Sequence, residues 1–119
     1  MRHLHAHKKI GRPTDQRLAL LKYQTRSLIE KGEITTTLAK AKALVSFVQK
    51  LVSFVRQGDV AGLREVRKQI DDRKLILKLT QEIVPKLKPG VGGEVSVIHA
   101  GQRRGDGSPI AIITFNVNK

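Results

Sequence analysis

The sequence predicts an α+β fold: about four helices packed on one face of a small, mostly antiparallel sheet, with an extended basic N-terminal arm. The arm takes residues 1–13 and a single globular domain takes residues 14–119. Three observations carry this. Residues 14–85 hold apolar side chains at helical spacing. Beyond "KLKPGVGG" the apolar period changes to two. The opening "MRHLHAHKKIGRP" shows no apolar period and no carboxylate.

The elements follow in order. Thr14 or Asp15 supplies an N-cap, and Leu18, Leu21, Thr25, Leu28 and Ile29 then repeat as one helix face up to Gly32, a natural stop. Lys22 and Arg26 stand four apart on the opposite face, where like charges destabilise a helix unless an anion neutralises them. "GEITTT" (Gly32 to Thr37) reads as a short strand, and Thr36 or Thr37 caps a second helix running to Gln57, with Gly58 beyond. Ser46, Gln49, Lys50, Ser53 and Arg56 form its one narrow polar stripe. So wide an apolar remainder, Phe47 and Phe54 included, predicts a central helix buried against several neighbours. Asp59 starts a third helix with Val60, Leu63, Val66 and Ile70 inward. Asp71 or Asp72 starts a fourth with Leu75, Ile76, Leu79 and Ile83 inward, ending near Pro85. "EVSVIHA" and "IAIITFNV" alternate as two strands joined by "GQRRGDGSP".

The 119 residues carry 23 Lys and Arg against 10 Asp and Glu, a net charge of +13. A charge of that size attracts polyanions, with nucleic acid the leading partner and an anionic membrane surface the second. Residues 1–42 hold ten of the cations and three of the acids, so more than half of the excess lies in the arm and the first helix. The absence of cysteine excludes disulfides, thiolate nucleophiles and cysteine-ligated zinc. No apolar run has the roughly 18 residues of a membrane span, and the N-terminus lacks the apolar segment of a secretory leader. A cytoplasmic location follows most simply.

No constellation specifies an enzyme, a metal or a cofactor. His3, His5 and His7 alternate, which suits imidazole ligation, yet no carboxylate or cysteine completes a site and the flanking cations repel a metal ion. Asp71 and Asp72 stand where a helix needs capping. His99 lacks a nucleophile at recognisable spacing. Neither "GVGG" nor "GQRRGDG" continues into the Gly-Lys-Ser/Thr of a phosphate-binding loop. The second of these is more informative as a hairpin tip. There Arg103 and Arg104 can fork onto phosphate oxygens, with Asp106 as a turn residue bonding to nearby backbone.

Phe47, Phe54 and Phe115 are accounted for by the core, so Tyr23 alone is too little for the multi-base stacking platform that single-strand binders use. A helix-turn-helix drawn through the third and fourth helices would open its recognition helix with two aspartates against DNA phosphates. Phosphate- and shape-directed binding by the arm, the basic helix face and the Arg hairpin remains. Charge and periodicity nominate Lys8, Lys9, Arg12, Lys22 and Arg26 as contacts. Phosphate contacts alone leave two polymers open: a structural RNA, or DNA coated by an architectural protein.

"MRH" at the start, "ALL…SLIEKGEITTTLAKAK" (Ala19 to Lys42) and "GG…RRGDGSPIAII" (Gly92 to Ile113) resemble, in the same order, the bacterial large-subunit ribosomal protein family numbered seventeen (L-seventeen). The resemblance implies a structural constituent of the large ribosomal subunit, bound to large-subunit ribosomal RNA near the peptide exit tunnel. It implies ribosomal protein neighbours, a cytoplasmic, ribosome-bound location, and no catalytic activity, cofactor or small-molecule substrate. Carried onto matching positions, it makes Arg2, His3, Arg17, Lys40, Lys42, Arg103 and Arg104 RNA contacts. The chain departs from the family pattern at Gln16-Arg17, where His-Arg is usual, and at Glu94-Val95-Ser96, where Tyr-Thr-Arg is usual.

Overall fold

The computed structural model describes residues 14–87 and 94–117. The predicted arm and most of the "KLKPGVGG" loop lie outside them. In chain order come α1 (Thr14–Lys31), β1 (Glu33–Thr37), α2 (Leu38–Gln57), α3 (Val60–Gln69), α4 (Arg73–Lys78), β2 (Val95–Gln102) and β3 (Pro109–Phe115). The strands form one antiparallel sheet in the order β1-β3-β2. Four helices and a three-stranded antiparallel sheet make the predicted α+β arrangement.

Local chemistry sets the boundaries. Gly32 and Gly58 have φ of 84° and 71°, the left-handed conformation that ends α1 and α2 without a Cβ penalty. Thr37 caps α2 by accepting from the Lys40 amide, Asp59 caps α3 through Gly62, and Asp72 caps α4 through Lys74 and Leu75. Of the two candidate aspartates, Asp72 is the cap. The chain does not stop at Lys78: a π turn over Leu79–Ile83 and a 3-10 turn over Val84–Lys86 continue it. Pro85 lacks an N–H and its ring would crowd a carbonyl of the preceding α-turn, so the wider turn before it relieves the clash.

The sheet alternates as its period requires. Ala111, Ile113 and Phe115 of β3 are buried, and across the ladder Ile34 and Val97 flank Ile113. On the opposite face Thr35, Ile112 and Ile98 form a cross-strand row, with Ile98 half-exposed. Against the inner face pack Leu44, Val48, Leu51, Val52 and Val55 of α2, joined by Leu28 and Ile29 of α1, Val66 and Ile70, and Leu79. The apolar breadth of α2 is thus used on several sides, and Phe47 and Phe54 flank the core. Arg56, in the polar stripe of α2, donates to Glu94 Oε1 at 3.0 Å and ties the end of α2 to the start of β2.

Three positions differ from the helical spacing read in the sequence. Leu18 is 41% exposed, Val60 65% and Leu63 36%. In α3 the inward residues are Gly62, Val66 and Ile70. A Cβ on Gly62 would lie 2.4 Å from the Phe54 carbonyl oxygen, so α3 is rotated to seat its glycine against α2. That rotation moves Val60 and Leu63 off the core face.

Candidate nucleic-acid interface

Topology gathers the nominated cations toward one end of the sheet. Gln24 Nε2 donates to Thr36 Oγ1 at 3.0 Å, placing the middle of α1 beside the end of β1. From the turn at Gly32, eight helical residues back to Gln24 and four strand residues on to Thr36 each cover about 12–13 Å. The N-terminal half of α1, with Arg17 and Lys22, therefore continues past β1. It heads toward the end where α2 begins, with Lys40 and Lys42, and where the β2–β3 turn carries Arg103 and Arg104. Arg26 lies half a turn beyond Gln24, nearer the middle.

The electrostatics of this end are predominantly positive, with Asp15 in the first turn of α1 and Asp106 in the β2–β3 turn as its acids. Lys22, Arg26, Lys40, Lys42 and Arg104 form no ion pair among the described residues, whose three pairs are Arg56–Glu94, Lys68–Glu65 and Arg103–Asp106. α1 and α2 both start here, so two positive macrodipole ends add to the side-chain charge. The first turn of α2 has no acidic residue and holds Lys40 instead. A cation there opposes the dipole, and Lys22 above Arg26 repels at i,i+4. An external polyanion relieves both costs, and the backbone N–H groups of a helix start donate readily to oxyanions.

The hairpin tip divides its two arginines. Arg103 lies along Asp106, with Nε to Oδ1 at 3.1 Å and a terminal nitrogen to Oδ2 at 2.5 Å. Asp106 Oδ1 also accepts from the Ser108 amide at 3.1 Å, and the Arg103 amide donates to the Ser108 carbonyl at 2.8 Å. Gly107, with φ of 72°, closes the turn. Arg103 is thus a brace for the turn, with one edge of its guanidinium already engaged, whereas Arg104 is exposed and unbraced. Asp106 makes the expected local backbone bond; its grip on Arg103 is what the sequence did not display.

The Arg103 hydrogen bonds, with the Ser108 amide, hold the Asp106 carboxyl well below the usual carboxylate range, and the same bonds raise Arg103. Because the folded value is depressed, whatever stability the brace gives is present above the ordinary aspartate value of about 3.9 and is lost as pH falls through the lower one. An NMR titration should find Asp106 still ionised at pH near 3.9. A midpoint at or above that value would mean the brace does not form in solution.

Arg2, His3, Lys8, Lys9 and Arg12 lie outside the described residues, as do His5 and His7. Among the described residues no group of three or more His, Cys, Asp or Glu could hold a metal ion, and no helix is long and apolar enough to cross a membrane. A feature passed over in the sequence is a groove of about 340 Å³ between α1 and β1, lined in part by Tyr23, Gln24 and Lys31. The one available signal was a tyrosine off the apolar period of α1.

Comparison with known proteins gives one family. The family model for ribosomal protein L17 matches residues 20–116. The chain is 40% identical over 116 residues to the large ribosomal subunit protein bL17 of Coprothermobacter proteolyticus, covering 98% of this chain and 99% of that one. It is 42% identical to the Thermus thermophilus protein of the same name, covering 95% and 97%. The Campylobacter jejuni protein of that name is 42% identical, with 97% and 98% covered.

Proposed function

Because the chain belongs to the ribosomal protein L17 family, we propose that it is a structural, non-catalytic constituent of the bacterial large ribosomal subunit that binds large-subunit ribosomal RNA through phosphate and shape contacts. The observation that carries the RNA contact is the gathering of Arg17, Lys22, Lys40, Lys42 and Arg104 toward the end of the sheet where α1 and α2 start. Lys22, Lys40, Lys42 and Arg104 there have no acidic partner among the described residues. Arg26 extends this surface along α1. Arg2, His3, Lys8, Lys9 and Arg12 extend it along the chain before Thr14, as an arm over residues 1–13 preceding one domain over 14–119. Arg103 contributes by holding the turn and with whatever edge Asp106 leaves open.

A place near the peptide exit tunnel, contacts with neighbouring ribosomal proteins and a cytoplasmic, ribosome-bound location rest on the family relationship. Architectural DNA binding is the alternative that the same cations allow, since phosphates do not identify the polymer. Equilibrium binding of the full chain to a large-subunit ribosomal RNA transcript, in competition with duplex DNA of equal length, separates the two. Preference for the RNA at every salt concentration is expected; equal or tighter binding of the DNA would overturn the proposal. In the same assay Arg104→Ala should lower the salt slope by about 0.7–0.9, one phosphate's share, while leaving folding unchanged within about 0.5 kcal/mol.

A further inference from the structure

We propose that the groove between α1 and β1 receives a single unpaired nucleobase, one whose edge carries an exocyclic amine, from the RNA that the basic surface holds. The inference rests on the RNA-binding proposal and names the part of the RNA that this groove takes.

Four features point to it. Tyr23 stands on the groove rim with 69% of its surface exposed, although it lies in the middle of an 18-residue helix. An aromatic ring held on a rigid helix and left open is a platform on which one base can stack. Gln24, on the groove wall, is 9% exposed. Its amide nitrogen is engaged by Thr36, but Oε1 is buried and has no hydrogen-bond partner among the described residues. Buried acceptors are normally satisfied, and this one gains a donor from the groove only when the Gln24 side chain turns toward it.

The remaining lining fits the same ligand. Ser27 and Lys31 follow Tyr23 at intervals of four along α1, and Glu33 and Thr35 face them from β1. The Glu33 carboxylate, joined by Gln24 Oε1 once that side chain turns, accepts from an amine, while Ser27 or Lys31 donates to the ring nitrogen beside it. Adenine and cytosine present that amine next to a ring acceptor on their pairing edge; uracil presents a single N–H between two carbonyls. The Glu33 carboxylate disfavours a phosphate in the groove itself. The sugar-phosphate chain instead passes on the side of Arg26, which is exposed and three residues from Tyr23. A base already unpaired enters at least cost.

The chain provides its own reporter, because it contains one Tyr and no Trp. Tyr23 emission therefore reads stacking in this groove alone. Addition of the ribosomal RNA transcript to the full chain should quench that emission along the binding isotherm. Tyr23→Ala should weaken RNA binding about 5- to 150-fold, the range for loss of one stacked base, with an unchanged salt slope. Tyr23→Phe should bind as the parent does. Single-stranded oligoadenylate and oligocytidylate should quench more strongly than oligouridylate of the same length. Unquenched emission at saturation, or Tyr23→Ala binding like the parent, would overturn the proposal; equal quenching by oligouridylate would overturn the assignment of an amine-bearing base. If the parent chain failed to prefer ribosomal RNA over DNA, the RNA-binding proposal itself would fall. If that preference held while Tyr23 stayed silent, only the base site would.

Discussion

Replacing Lys22, Arg26 and Arg104 together by alanine should lower the affinity for large-subunit ribosomal RNA by about 10²-fold or more at 0.1 M salt and reduce the salt slope by about 2–3. Each phosphate neutralised contributes roughly 0.7–0.9 to the slope, and that contribution is read over one decade between 1 M and 0.1 M. The three residues are chosen because none has an acidic partner among the described residues, so each is free to meet a phosphate. Arg103 is left in place because its loss would also release Asp106 and loosen the turn. The fold should not suffer: removing Lys22 and Arg26 relieves an i,i+4 repulsion of about 0.2–0.5 kcal/mol. Filter binding across a salt series, with circular dichroism as the control, gives the result. A well-folded variant with the parental slope would take α1 and the hairpin out of the interface.

Gly62→Ala should destabilise the chain by about 1–3 kcal/mol, the usual range for overpacking a close contact. Helix propensity alone says the reverse, since alanine in a helix interior gains about 0.5–1 kcal/mol over glycine. The contact decides the sign. A methyl group at residue 62 would sit 2.4 Å from the Phe54 carbonyl oxygen and 3.1 Å from Asp59 Oδ1. The first of these atoms is helix backbone, which cannot move aside without disturbing α2. The second accepts the 2.7 Å hydrogen bond from the Gly62 amide that starts α3. Relief therefore requires α3 to shift outward, drawing Val66 and Ile70, both fully buried, away from the core. Urea unfolding should show a lower midpoint with little change in m-value. An unchanged or raised midpoint would mean that α3 does not pack so closely.

Gly62 also marks where sequence patterning stopped being informative. Caps and stops are local chemistry, so the Thr36–Thr37 pair, Asp59 and Gly58 placed their helix ends from the sequence alone, and the change of period at "EVSVIHA" placed the hairpin. The orientation of α3 is not local. It depends on a backbone oxygen of another helix, and a pattern of Val60, Leu63, Val66 and Ile70 could not reveal it. Likewise Pro85 announced an end to the fourth helix, but not that the chain would pass it through π and 3-10 turns.

The candidate site divides in the same way. Which cations were in excess was legible as charge, and the like-charged pair on the first helix was legible as periodicity. That Arg17, Lys40 and Arg104 converge on one end follows from the strand order, which places β3 between β1 and β2. The division of labour between Arg103 and Arg104 depends on the turn bringing Asp106 onto one of them. The groove beside Tyr23 needs the register of α1 against β1, which a hydrogen bond between Gln24 and Thr36 reports and no sequence motif encodes.

The most direct test of the central claim is co-sedimentation of the tagged chain with large ribosomal subunits through a high-salt wash, with nucleoid fractions run alongside. The protein should remain at one copy per large subunit, and the variant lacking Lys22, Arg26 and Arg104 should be shed at lower salt than the parent. Recovery of the chain with the nucleoid, and its ready release from ribosomes, would contradict the account.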